Sequence, residues 1–494
     1  MSLIRTSITA TSRRARAPGP PACRHAEAPS SLTEPPRAQP PHRGAPPGKR
    51  ATVPDLPRGS RPVAANAPAR AAPDAHDLTV LDGGRRVITA SVPTAQSASV
   101  SFFVGVGSRS ERPEVGGVSH YLEHMLFKGT EQRPTAPAIS EAIEGAGGSL
   151  NAFTTSELTC YWNRLPFERW QRGIEVLADM IQSSLLDREE VERERTVVQQ
   201  EIRRTHDNPQ AWAGELLQRV TFGDQPVGRP VAGTLESVAA IDRSELASHL
   251  GSHYTEGNAV LAVAGRVDHG AVVEEAARHF SALAPGAGVP AEQARRGLPE
   301  ERVLVEERDL EQANLALAVQ CGGRRDPDRY PLEVLVTLLG RGMSSRLFKE
   351  VRERRGLAYS VAARVGRLRD IGALAVTAGV TREHQEEALG VIMGELRRLV
   401  SEPVGEEELA RTIDYAVGGF RLALETPMAI GQRLGNQLLL DGEIERVDDA
   451  VAALRAVSAR DVQRVAEGLF AGPPALAVVG PSAPADRLDA ILSS

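Results

Sequence analysis

The stretch "GGVSHYLEHMLFKGT", Gly116–Thr130, crowds two histidines and a glutamate onto one helical turn beside good core residues. A helix rotates each residue by about 100°, so His120 and His124 are about 40° apart in projection, with Glu123 about 60° to the other side of His120. All three point one way. Val118, Leu122, Met125 and Leu126 fall on the opposite arc, and Gly129 is the expected C-terminal stop. Such a helix buries its back and presents two imidazoles and a carboxylate from its front.

Two histidines at i and i+4 can share one zinc ion, because neighbouring turns bring their ring nitrogens within about 2.0 to 2.1 Å of a common metal. Glu123 is too close to its neighbours to serve easily as a third ligand. It is well placed to take a proton from a metal-bound water, whose pKa falls to about 7. This is the H-x-x-E-H, or inverted zincin, arrangement. The competing reading is a solvated helical face whose histidines bind nothing.

A catalytic zinc needs a third protein ligand from another element. The best source is "EEVERERTVVQQEIRR", where Glu194 and Glu201 lie seven apart on one face and Val191, Val198 and Ile202 supply an apolar stripe. Spacing alone does not choose between the two carboxylates.

Working outward, "LTVLDGGRRVITASV" and "SASVSFFVGVGS" alternate as strands, the first broken by a turn at Asp82-Gly83-Gly84. The order strand, Arg-rich turn, helix in "VSFFVGVGSRSERPEVGGVSHYLEHML" recurs in "LALAVQCGGRRDPDRYPLEVLVTLLG". A second echo joins "NAVLAVAGRVD" to "PALAVVGPS". Repetition at about 210 residues points to duplication of a whole α+β domain. The expected architecture is two homologous α/β sandwiches, each an antiparallel-rich sheet with helices on one side. The first spans 76–283 and carries the metal site, 284–301 is a Pro/Gly-rich linker, and the second spans 302–494. In the second copy Glu333, Val336 and Thr337 stand where the first has His120, Glu123 and His124, and no histidine occurs between His279 and His384. The chemistry of the first copy is not repeated.

Residues 1–75 read as a disordered Pro/Arg-rich tail, since the first 73 residues hold fifteen of the 34 prolines. Those 73 residues carry +9 against −6 for the whole chain, which leaves −15 on the remainder. An acidic body argues against nucleic acid as the partner. "MSLIRTSITATSRRARA" has the look of an organelle transit peptide, but an extended start or a plain disordered tail fits it at least as well. No apolar run reaches the length of a signal-peptide core or membrane span, so a soluble, cytoplasmic protein is expected, or a mitochondrial-matrix one if the Arg-rich start is a transit peptide. Cys23, Cys160 and Cys321 are too scattered for a disulfide framework or a cysteine-rich zinc site.

With these pieces assembled, residues 77 to 485 resemble the pitrilysin-type, or M16, metallopeptidases, in the branch of mitochondrial processing peptidase and its bacterial relatives. "HYLEHMLFKGT" is similar to the family signature. The resemblance implies one zinc per chain held by His120, His124 and Glu201, with Glu123 as general base and Glu194 as a supporting acid. Cobalt or manganese could occupy the same donors. "GGSLNAFTTSELTCYW" resembles the edge strand that pairs with substrate, which carries over to Asn151 and Ala152. "SSRLFKEVRERRGLAYSV" resembles the segment whose Arg and Tyr, here Arg352 and Tyr359, hold the substrate carbonyl and stabilise the oxyanion. Substrates implied are peptides or unfolded segments. Pairing with a second copy, or with an inactive homologous chain, is implied as well. The runner-up is a non-catalytic relative serving as a binding or core subunit; a purely structural α+β protein ranks below both.

Overall fold

The computed structural model describes residues 75–288 and 292–494. The expected tail, and with it the transit-peptide reading, lies outside the described residues apart from Ala75. In the first half the chain forms β1 (Asp77–Val80), β2 (Arg86–Ser91), β3 (Ser97–Val104), α1 (Val118–Met125), α2 (Ala136–Glu144), β4 (Ser149–Thr154) and β5 (Thr159–Pro166). It continues through α3 (Trp170–Gln182), α4 (Arg188–Asp207), α5 (Pro209–Phe222), α6 (Leu235–Ala240), α7 (Arg243–His253), β6 (Ala259–Gly265) and α8 (His269–His279). The second half runs β7 (Val303–Glu306), β8 (Ala313–Gly322), α9 (Arg329–Gly340), β9 (Ala358–Arg367), β10 (Ile371–Val380), α10 (Gln385–Ser401) and α11 (Glu406–Leu422). It ends with α12 (Pro427–Leu440), α13 (Val447–Arg455), α14 (Ala459–Leu469), β11 (Ala475–Val479) and α15 (Ala485–Ser493).

The two sheets repeat one topology. The first has the order β1-β2-β6-β3-β5-β4 and the second β7-β11-β8-β10-β9. In each, one parallel pair (β2 with β6, β7 with β11) precedes an antiparallel run, so β1 is the addition and β4 and β9 are equivalent open edges. The internal echoes in the sequence are therefore a duplicated α+β unit.

Period-two alternation sends Val100, Phe102 and Val104 of β3 into one core beneath α1, α3 and α8, while Phe103 enters a separate core on the opposite face. That opposite face is covered by a helix from the other half. Leu434, Leu438 and Leu439 of α12 pack on Ile88, Phe103, Val260 and Ala262. Reciprocally, Ala213, Leu216, Leu217 and Val220 of α5 pack on Ala316, Ala318, Ala475 and Ala477 of the second sheet. The alanines alternate with Leu315, Leu317, Leu476 and Val478, which face the second half's own helices. Small side chains on one face let a helix lie close, and large ones on the other fill the deeper core.

α12 approaches through its glycines. A Cβ on Gly435 would sit 2.2 Å from Phe103 Cε2, too close for any side chain without displacement. Gly435→Val is therefore expected to destabilise the chain by about 1–3 kcal/mol through overpacking, measured as a lowered denaturation midpoint. An unchanged midpoint would show that α12 does not rest on the first sheet. Among the described residues no helix is long and apolar enough to cross a membrane.

Candidate metal centre

α1 starts at a glycine because its first turn is entered through the left-handed region: Gly117 has φ +91°, and a Cβ there would sit 2.4 Å from the Ala232 carbonyl oxygen. The open amides of this turn are met by a buried carboxylate, Glu111, which accepts from Gly117 N at 2.6 Å and Ser119 N at 2.8 Å. Negative charge at a helix N-terminus is favourable. Val118, Leu122, Met125 and Leu126 are all buried, as the periodicity predicts, and so is Tyr121. The helix ends at Met125, four residues before the expected stop at Gly129. Its last turn tightens to i→i+3 bonds, from Phe127 N to His124 O and from Lys128 N to Met125 O.

α4 crosses α1 with its acidic face towards the histidines. His120 Nε2 and His124 Nε2 are 3.2 Å apart, and Glu201 Oε2 lies 3.5 Å from His124 Nε2 and 3.7 Å from His120 Nε2. Donors of a tetrahedral zinc with bonds of about 2.0–2.2 Å are themselves about 3.3–3.6 Å apart. The three donors thus fit one such ion. Among the described residues they are also the one His/Cys/Asp/Glu trio that could share a metal.

Glu194, two turns before Glu201 on the same face, is buried and sits 2.9 Å from His124 Nδ1 through Oε1. With Nδ1–H donating to Glu194, the neutral ring turns its Nε2 lone pair to the cluster. The other Glu194 oxygen pairs with Lys128 Nζ at 2.6 Å. Burial works to raise the Glu194 pKa, but the bonds from His124 and Lys128 outweigh it and the net shift is downward. Burial also works to lower His124, yet the Glu194 hydrogen bond and the charges of Glu201, Glu194 and Glu123 hold it above the usual histidine value. His120 behaves oppositely: burial and then the neighbouring His124 push it down to about 4. One ring is thus neutral at pH 7, and the other is surrounded by charge that stabilises a cation, proton or metal.

Glu123 is not one of the three donors. It lies beside them, 8% exposed, and its Oε2 accepts from Thr154 Oγ1 at 2.5 Å. Burial raises its pKa; the Thr154 bond and His124 oppose this, and Glu201 adds to it. A carboxylate shifted up towards neutrality is a better proton acceptor. Thr154 ends β4, the open edge strand, so Asn151 and Ala152 lie on the strand that terminates at the cluster. Asn151 is exposed, and its Oδ1 accepts the Ala152 N–H at 2.8 Å.

Arg352 and Tyr359 are brought to each other. Arg352, in a π-helical turn (Phe348–Arg354), sits 5.7 Å over the Tyr359 ring and 4.8 Å over Phe348. Tyr359 is 77% exposed at the start of β9. Neither makes a hydrogen bond or ion pair with His120, Glu123, His124 or Glu201 among the described residues. In the second half α9 replaces α1, and Glu333 is bridged by Arg341 and Arg367, so guanidinium groups stand where the first half gathers metal donors.

Sequence reasoning missed Thr154, Lys128 and Glu111. Lys128 carried a signal, being four residues beyond His124 on the same helical arc. Thr154 and Glu111 reach the site through strand pairing and a loop, which no periodicity reports.

Comparison with known proteins follows the same lines. Residues 86–235 match the family model described as Insulinase (Peptidase family M16), and residues 240–415 match the one described as Peptidase M16 inactive domain. A Streptomyces coelicolor protein named an uncharacterized zinc protease is 37% identical over 414 residues, covering 82% of this chain and 89% of its own. A Mycobacterium leprae protein of the same description is 38% identical over 408 residues, covering 82% and 92%. Among solved structures, a peptidase M16 inactive domain from Pseudomonas fluorescens superposes with a TM-score of 0.76 at 19% identity, covering 83% of this chain and 98% of its own. A chain of complex III2 from Candida albicans gives a TM-score of 0.70 at 19% identity, covering 85% and 100%. These last two likenesses concern the fold.

Proposed function

We propose that this chain, which belongs to peptidase family M16, is a zinc-dependent endopeptidase that cleaves peptides or unfolded protein segments. The observation that carries the reading is the donor triangle of His120, His124 and Glu201, with sides of 3.2, 3.5 and 3.7 Å, and the buried carboxylate of Glu123 next to it. One zinc per chain bound there supplies Lewis acidity and a water of lowered pKa. Glu123 takes the proton of the attacking water and passes it to the leaving amine, and Thr154 fixes the carboxylate for that task. Glu194 holds His124 in the tautomer whose Nε2 is a ligand.

β4 has an unpaired edge, so an extended substrate can add to the sheet beside Asn151 and Ala152. This requires an unfolded segment and excludes folded proteins. Arg352 and Tyr359 serve the substrate carbonyl and the oxyanion, and the exposure of Tyr359 supports their being supplied across a subunit contact. Met343 (76%), Leu422 (66%) and Tyr415 (52%) on the same half are exposed too. We therefore place the chain in a dimer, with a second copy or an inactive homologue. A cytoplasmic location is favoured over a mitochondrial one by the bacterial relatives.

The reading as a non-catalytic subunit draws on the neighbours described as an inactive domain and a complex III2 chain. Against it stands a complete donor set with a base beside it. Hydrolysis of an internally quenched unstructured peptide decides: cleavage stopped by chelator and restored by zinc is expected, and bound zinc without cleavage, in the presence of any partner chain, would favour the subunit.

A further inference from the structure

Arg109 lies outside the metal cluster, is 4% exposed, and gathers more of the chain than any packing role requires. Its guanidinium donates to Asp370 through both terminal nitrogens, at 2.7 and 2.6 Å, and to Glu157 Oε1 at 2.7 Å. It also donates to the Glu292 carbonyl at 2.7 and 3.2 Å. Glu157 belongs to the turn between β4 and β5, Asp370 to the turn between β9 and β10, and Glu292 to the segment between the halves. The acceptors are themselves held. Asp370 takes the Ala294 N–H at 2.8 Å, and Glu157 takes the Arg369 N–H at 3.1 Å through both oxygens. One guanidinium thus ties the hairpin of each open edge strand to the other and to the connecting segment.

The backbone beside Arg109 is pressed on the same turn. Ser108 N donates to Thr155 O at 3.3 Å and Arg109 N to Ser156 O at 2.9 Å. A Cβ on Gly107 would fall 2.0 Å from Thr155 O. Thr154, whose hydroxyl holds Glu123, immediately precedes this turn.

We infer that Arg109 is a positioning residue that sets where the β4–β5 turn presents Thr154 to Glu123, using Asp370 of the second half as its reference. Buried ion networks contribute little net stability compared with apolar packing, and their best-attested use is to fix register. The two carboxylates and the carbonyl suit the planar fork of an arginine and not a lysine. The second half, in which no metal-donor trio forms among the described residues, in this way sets the geometry of the base in the first. The inference rests on the reading of Glu123 as the base.

The test is a double-mutant cycle on the full chain with zinc bound. Arg109→Lys is expected to lower kcat by about 10–100-fold with zinc content retained, since small misplacements of a reacting group cost on that order. Thr154→Val lowers kcat as well. In the Thr154→Val background Arg109→Lys is expected to cost less than about 2-fold, because the two act through one link. A purely structural arginine would give multiplied losses, and that outcome overturns the inference. Asp370→Asn repeats the cycle if Arg109→Lys fails to fold. Hydrogen exchange at residues 152–158 reads the link without turnover: Asp370→Asn is expected to accelerate it, and unchanged exchange overturns the inference even if the wild type cleaves nothing. An inactive wild type carrying zinc would instead sink the peptidase reading.

Discussion

Glu123→Gln is expected to bind zinc with the same stoichiometry as the wild type while its kcat for an unstructured peptide falls by about 10²–10⁴-fold, the usual contribution of a general base. The substitution is nearly isosteric, and a glutamine oxygen can still accept from Thr154 Oγ1, now at 2.5 Å from Glu123 Oε2. It cannot accept the proton of water. Because His120, His124 and Glu201 are the proposed donors and Glu123 is not among them, metal retention and catalytic loss are separable at this position. Loss of zinc from Glu123→Gln would mean that the carboxylate is a ligand, and retained hydrolysis would mean that the base is elsewhere.

The second large effect is on metal affinity, and it ranks the two glutamates of α4. Glu194→Gln removes the carboxylate behind His124, a change that typically weakens a metal by about 10–100-fold. Glu201→Gln removes one of the three proposed donors and is expected to cost well over about 100-fold. The ranking follows from reach: Glu201 Oε2 is 3.5 and 3.7 Å from the two Nε2 atoms, whereas Glu194 meets His124 on Nδ1, the far side of the ring. Competition with a chromogenic chelator measures both. The opposite order would exchange the roles of the two residues.

Much of the site was legible because its donors obey helical spacing. His120 with His124, and Glu194 with Glu201, sit on single faces of two helices, so spacing singled out both histidines and both glutamates, while the choice of Glu201 over Glu194 as third ligand came only from the family resemblance. What joins them to their surroundings was not legible. Thr154 meets Glu123, and Arg109 meets Asp370, across 31 and 261 residues. No local period encodes such pairs.

The fold divides in the same way. "ALAVV" and "LALAV" read as strands by alternation, and the duplicated order of elements follows from the echoes. That their alanine face takes a helix from the other half is a matter of tertiary packing. Gly431 and Gly435 weaken α12 as a helix by propensity. They make sense only once Ala264 and Phe103 are seen against them. The early end of α1 has a similar origin. Gly129 has φ +144° and meets the Pro134 carbonyl, so it serves a turn beyond the helix instead of its cap.

The most direct measurement is anomalous diffraction at the zinc edge from crystals of the full chain purified without added metal. A single peak within about 2.0–2.2 Å of His120 Nε2, His124 Nε2 and a Glu201 carboxylate oxygen, with Glu123 outside bonding distance, is the expected result. No peak between these residues in zinc-replete crystals, or a peak bonded to Glu123 in place of Glu201, would contradict the assignment of ligands and base.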